Sequence, residues 1–161
     1  LKPIFLSVLI AATAITHVIE GVPFVKQDTR YCGPASLASV LNYYGDTVDQ
    51  RTIGKSTYSE KLKGALITDL ENVARARGFK TRSAVGRLED LRSAVCEGVP
   101  VIVLIDRGFW VVSRPHYLVV FGYDEGGLIA HDGYRASQRY PYPEFEKQWT
   151  KAGSTYLLVY R

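Results

Sequence analysis

The chain has no methionine and only two cysteines, Cys32 and Cys96, in its 161 residues. No Cys-x-x-Cys pair occurs, and the three histidines do not cluster with the cysteines at zinc spacing. A zinc module and a disulfide scaffold are therefore excluded, and neither a metal nor a cofactor is expected. Long apolar runs are missing too. The longest, Ile4 to Ile15, falls short of the roughly 20 residues that a helix needs to span a bilayer. There is no basic stripe: a net charge of +4 is spread along the chain, with one loose group at Arg75, Arg77, Lys80 and Arg82. That argues against nucleic acid as a partner and for a solvated face. No repeat, low-complexity tract, linker or nucleotide-binding motif appears. What remains is an ordinary globular composition, 47% hydrophobic and 22% charged, of a size that fits one domain.

Residues 1–20 stand apart. Lys2 precedes the apolar run, and small residues at Ala11, Ala12 and Ala14 follow within it, as in the h-region of a signal peptide. The expectation is a signal-like or membrane-proximal segment over 1–20, a single domain over 21–161, and export to a periplasmic or extracellular setting, with membrane association through that segment.

Within the domain, hydrophobic periodicity predicts helices over 35–44, 48–54, 66–78 and 88–97, the third capped by Thr68 and stopped by Gly78. Residues 55–64 read as a loop. A strand is expected over 79–85, and the continuous apolar run VPVIVLID at 99–106 reads as a central strand buried on both faces. Residues 116–124 and 128–132 read as a hairpin turning at Glu125-Gly126-Gly127. A short strand at 139–142, a helix at 143–149 and a last strand at 155–160 complete an α+β domain, with helices first and an antiparallel sheet after. Cys96 is read as a small core residue of its helix, unpaired with Cys32.

The chemistry gathers around VPFVKQDTRYCGPASLASVLNYYG, residues 22–45. Cys32 sits where an extended segment gives way to a helix, and the positive end of the helix dipole favours a thiolate there. Gln27 lies just upstream, with a side-chain amide able to donate to a developing oxyanion beside the Cys32 N–H. His116 opens one strand of the predicted hairpin and Asp132 closes the other, so the two are expected as neighbours, with the carboxylate orienting the ring. His131, adjacent to Asp132, alternates to the opposite face and is read as structural. Thiol, imidazole, carboxylate and amide together form the set needed for covalent acyl transfer. Tyr31 and Gly33, which flank Cys32, and Trp110 and Tyr117, which flank His116, are expected along the substrate.

The run Q-x4-C-G-P-A-S-L, followed by H-Y-L-V-V-F-G-Y-D and a later H-D-G, resembles the double-glycine leader peptidases, papain-like cysteine peptidases of bacteriocin-processing transporters and their stand-alone relatives. The resemblance covers about residues 22–160. It implies a papain-like fold with the nucleophile helix packed on an antiparallel sheet. It also implies Cys32 as nucleophile, His116 as base and acid, Asp132 as ring orienter and Gln27 as oxyanion donor. Two features depart from the transporter type: Tyr31 stands where Asp is usual, and Gln27 is one residue closer to the cysteine. With no transmembrane bundle or nucleotide motif in the sequence, the resemblance is to a stand-alone member acting on a peptide or protein, in a membrane or secretion-system setting. Alternatives are a catalytically silent peptide-binding domain and an amidase or acyltransferase of cell-wall peptides.

Overall fold

The computed structural model describes residues 15–161. Lys2, Ala11, Ala12, Ala14 and most of the apolar run, on which the signal-like reading rests, lie outside the described residues. The described chain begins with β1 (His17–Val18), and the buried Ile19 and Val22 belong to the core that follows.

Helix α1 (Cys32–Tyr43) is the hub. Its residues from Gly33 to Leu41 are buried all round, as expected of a helix with apolar and small residues on every face. It ends before Gly45, whose φ of 84° is the left-handed conformation that glycine adopts without steric cost. Around α1 pack α2 (Gln50–Thr57) and α3 (Ile67–Ala76), joined by a small hairpin of β2 (Tyr58–Ser59) and β3 (Gly64–Ala65). Two expectations are corrected here. Residues 55–64 are not a plain loop, because α2 runs on to Thr57 and β2 follows at once. Thr68 does not cap α3: it lies inside the helix, Leu66 takes the cap position, and no side chain bonds there.

The rest is a sheet. Strands β4 (Lys80–Val85), β5 (Val101–Asp106), β6 (Pro115–Tyr123), β7 (Gly127–His131), β8 (Gln138–Pro141) and β9 (Thr155–Tyr160) run in the order β4-β9-β5-β6-β7-β8, all antiparallel, with β1 also paired to β6. Helix α1 packs on β6, α4 (Leu88–Cys96) lies against β5 and β6, and α5 (Tyr142–Lys151) covers β5. The protein is therefore an α+β molecule, with helices first and a large antiparallel sheet after, and its architecture is papain-like. β5 is buried on both faces, as its unbroken apolar run requires. Cys96 is not a core residue. It is exposed at the end of α4, its Sγ 2.9 Å from the Tyr123 hydroxyl, and both cysteines are free.

One irregularity positions the site. β6 and β7 pair with Tyr123 opposite Leu128 and Gly122 opposite Ile129, but then Val120 faces Ala130 and Val119 faces His131, so Phe121 is an extra residue in β6. A bulge of this kind shifts the later register by one and exchanges the faces. Carried beyond the end of β7, the shifted register sets Asp132 level with Leu118 and Tyr134 level with His116. A straight hairpin would have set Asp132 level with Val119, on the other face.

Candidate active site

Cys32 is the first residue of α1. No side chain caps this helix end and its first turn holds no acid, so the leading N–H groups are not claimed by a capping carboxylate or hydroxyl. His116 lies beyond it on β6, and Gln27 reaches the same place from the extended segment before α1. The three line one cleft of about 470 Å³, with Lys26, Asp28, Thr29, Arg30, Lys63, Pro115 and Tyr134 as the other walls.

The imidazole of His116 is buried, with Nε2 2.6 Å from the main-chain oxygen of Asp132. A carbonyl only accepts, so Nε2 carries the proton and Nδ1 is the bare, basic nitrogen of the neutral ring. Tyr134 stacks on the ring at a centroid distance of 5.5 Å and an angle of 7°. The Asp132 carboxylate is engaged elsewhere. Its Oδ1 accepts from the N–H groups of Tyr134 at 2.9 Å and Arg135 at 2.7 Å, and its Oδ2 lies 3.4 Å from both Arg107 Nη2 and the Tyr140 hydroxyl. Asp132 therefore meets the histidine through its backbone, and its side chain ties down the turn that carries that backbone.

Burial dominates the ionisation of the pair. It pushes the Cys32 thiol above its ordinary value, against the opposing pull of backbone N–H groups at Tyr117 and Gly33 and of the Arg107 charge. It also pushes His116 down to about 4, an effect to which Arg107 adds, while the Asp132 carbonyl and charge work the other way. Burial thus favours the neutral thiol at Cys32 and the neutral imidazole at His116, and opposes the thiolate expected from the helix dipole alone.

Gln27 is held by its own backbone, its N–H donating to Gly133 O at 2.8 Å. Its Oε1 is buried and has no hydrogen-bond partner. Gly133 has a φ of 78°, which favours glycine, and a Cβ there would force the Gln27 amide, whose oxygen would lie 2.3 Å away, to move. The remaining expected substrate residues lie apart from the walls of this cleft. Tyr31 turns back toward α2, its ring against Gly54 and Tyr58. Gly33 is buried, with the Tyr117 ring and Ala65 near the position a Cβ would take. Tyr117 is itself buried and donates its hydroxyl to Ala65 O. Trp110 is exposed on the loop between β5 and β6. His131 uses both ring nitrogens, Nε2 on Val22 O and Nδ1 accepting from Ser137 N–H, which makes it structural. Tyr134 and Arg107 are contributions that sequence reasoning missed. Tyr134 could have been found only by carrying the bulged register past Asp132.

With this geometry in view, comparison with known proteins is decisive. The family model described as the Peptidase_C39 like family matches residues 19–157. The chain belongs to this family of C39-like cysteine peptidases. Its fold is shared with a C39-like peptidase of Bacillus anthracis, at 20% identity and a TM-score of 0.76, over 91% of this chain and 98% of the other. The peptidase domain of Streptococcus ComA, a bifunctional ABC transporter of a quorum-sensing pathway, is 26% identical with a TM-score of 0.70, over 87% and 98%. A double-glycine-motif protease from an AMS/PCAT transporter, solved with its leader peptide, shares the fold at 22% identity and a TM-score of 0.70, over 90% and 97%. No curated protein matches the chain significantly. The family is thus related to the double-glycine leader peptidases, as the sequence resemblance implied. These relatives also correct the expected location. Among the described residues no helix is long and apolar enough to cross a membrane. The Streptococcus domain belongs to an ABC transporter and the double-glycine-motif protease to an AMS/PCAT transporter, so these two are transporter peptidases and not free exported enzymes. Export to a periplasmic or extracellular setting is therefore withdrawn.

Proposed function

We propose that this C39-like chain hydrolyses peptide bonds through an acyl-enzyme on Cys32. The observation that carries the proposal is that Cys32, His116 and Gln27, drawn from three separate elements, line one cleft. His116 Nδ1 takes the Cys32 proton as sulfur attacks the scissile carbonyl, so no thiolate is needed at rest. The developing oxyanion is met by the Gln27 side-chain amide and the N–H at the start of α1. The tetrahedral intermediate collapses, the protonated His116 gives its proton to the leaving amine, and the thioester remains on Cys32. Water then attacks the thioester with His116 again as base, which releases the acid product and restores the thiol. Asp132 holds the ring through its carbonyl.

The substrate class is a peptide cleaved after small or glycine residues, by analogy with the transporter protease whose structure holds a leader peptide. Peptides with Gly-Gly, Ala-Ala or Leu-Leu before the scissile bond test this directly. Cleavage of the first two by the wild type, and of none by Cys32→Ala, is the expected result. Hydrolysis that persists in Cys32→Ala contradicts the mechanism. Tight binding without hydrolysis by either protein would identify a silent binding domain instead.

A further inference from the structure

The loop between β5 and β6 presents four consecutive apolar side chains to solvent: Phe109 is 87% exposed, Trp110 85%, Val111 81% and Val112 53%. Such a run has an energetic cost in water, and in soluble proteins it marks an interaction surface. The loop is not slack. The buried Asp106 carboxylate accepts from the N–H groups of Gly108 at 2.7 Å and Arg114 at 2.8 Å and from the Ser113 hydroxyl at 2.7 Å. Arg107 N–H donates to Arg114 O at 3.0 Å and Val112 N–H to Phe109 O at 3.0 Å. Lys151, from the end of α5, donates to Gly108 O at 2.9 Å and stands 3.6 Å from the Asp106 carboxylate. A Cβ at Gly108 would overlap Val112 O, so only glycine permits this closure. At the tip, Trp110 holds a φ of 51°, a conformation that costs free energy outside glycine. The root is therefore built to hold an apolar tip outward.

The charges at that root narrow the partner. Lys151 is spent on Gly108 O and the inward-facing Asp106 carboxylate, and the Arg107 guanidinium turns to Tyr140 and Asp132, which leaves the exposed Arg114 as the cation next to the tip. Phenylalanine and tryptophan beside an exposed arginine match the boundary between lipid headgroups and acyl chains, where aromatic rings settle and anionic headgroups attract arginine. A protruding tip of four residues also suits insertion into a bilayer better than the broad complementary patch of a protein interface. We propose that the Gly108–Arg114 loop is a membrane-surface anchor, with Phe109, Trp110 and Val111 entering the interface of an anionic bilayer and Arg114 meeting its headgroups. This contact is peripheral and implies no compartment. Because His116 follows the loop closely on β6, such docking would set the cleft at a fixed height above the bilayer.

Tryptophan fluorescence tests the proposal locally, which matters because residues 4–15 are apolar as well. The chain has two tryptophans, and Trp149 is buried with its indole N–H on Thr155 O, so a change in solvent exposure is read from Trp110. The full chain is titrated with vesicles of phosphatidylcholine plus phosphatidylglycerol, and with pure phosphatidylcholine vesicles. The expected result is a blue shift and quenching by bromine-labelled acyl chains, stronger with the anionic lipid. Arg114→Glu, a change of two charge units, is expected to weaken that partition about thirtyfold, from about 1 kcal/mol for each charge near the surface. Phe109→Ser should weaken it as well, and Trp110→Phe should abolish the signal. An unshifted spectrum at saturating anionic lipid overturns the proposal. So does a blue shift that appears on raising protein concentration without vesicles, which would assign the tip to a second copy of the chain.

Discussion

At the scale of single residues, the site turns on which atom of Asp132 does the work. The ring of His116 is held by a main-chain oxygen at 2.6 Å, so the carboxylate contributes only by fixing the turn. Asp132→Asn keeps an oxygen to accept from Tyr134 and Arg135, and its kcat/KM should stay within about tenfold of wild type. A carboxylate bonded directly to the ring would instead predict a loss on the order of 10⁴ in kcat. Asp132→Ala, which frees the turn, should be worse than Asp132→Asn, and peptide hydrolysis by the two variants checks the order. The ionisation of His116 gives a second prediction. Since burial holds the ring at about 4, the acid limb of kcat/KM should fall near that pH and not near the ordinary 6.5. Linkage carries the same sign. Below 6.5 the unfolded chain binds a proton at this ring that the folded chain refuses until about pH 4, so stability falls as pH drops through that window. Gln27, Cys32 and His116, the candidates legible from spacing and element boundaries, do line one cleft. What spacing could not show was the thiol's environment. A helix N-terminus is visible in sequence, whereas the burial that outweighs its dipole depends on what the rest of the chain places over it.

At the scale of elements, the hydrophobic periods located the long helices and the central strands, because each buries one continuous face or both. The short β2–β3 hairpin was missed, since strands of two residues have no period to read. The Phe121 bulge was missed too, and it brings Asp132 and His116 together for a reason the straight-hairpin argument did not contain. Tertiary contacts also replaced a local cap. α3 is fixed to β4 by the buried Glu71, which accepts from Arg75 at 2.7 Å, Thr81 at 2.9 Å and Ser83 at 2.8 Å. Glu71→Ala removes three hydrogen bonds to a buried carboxylate, leaves the half-buried Thr81 hydroxyl without that acceptor, and should lower unfolding free energy by about 1–3 kcal/mol. Urea denaturation with an unchanged slope reads that loss, and Thr68→Ala, which removes no cap, should leave the midpoint nearly fixed.

At the scale of the whole molecule, the chain divides its labour. The sheet and the buried α1 form a rigid body, and the cleft lies where the start of α1 meets β6 and the turn after β7. The family match over residues 19–157 spans nearly all of this body. The apolar loop tip and Arg114 lie outside the cleft walls, which leaves the proposed surface docking and the chemistry separable by mutation. The central claim, a thioester formed on Cys32 by a pair that is neutral at rest, can be met by one experiment. Wild-type protein is mixed with a Gly-Gly peptide, quenched in acid during turnover and digested for mass spectrometry. The account predicts an acyl mass on the peptide containing Cys32, removable by hydroxylamine and absent from Cys96. Steady hydrolysis with no adduct on Cys32, or an adduct on Cys96 instead, would contradict it.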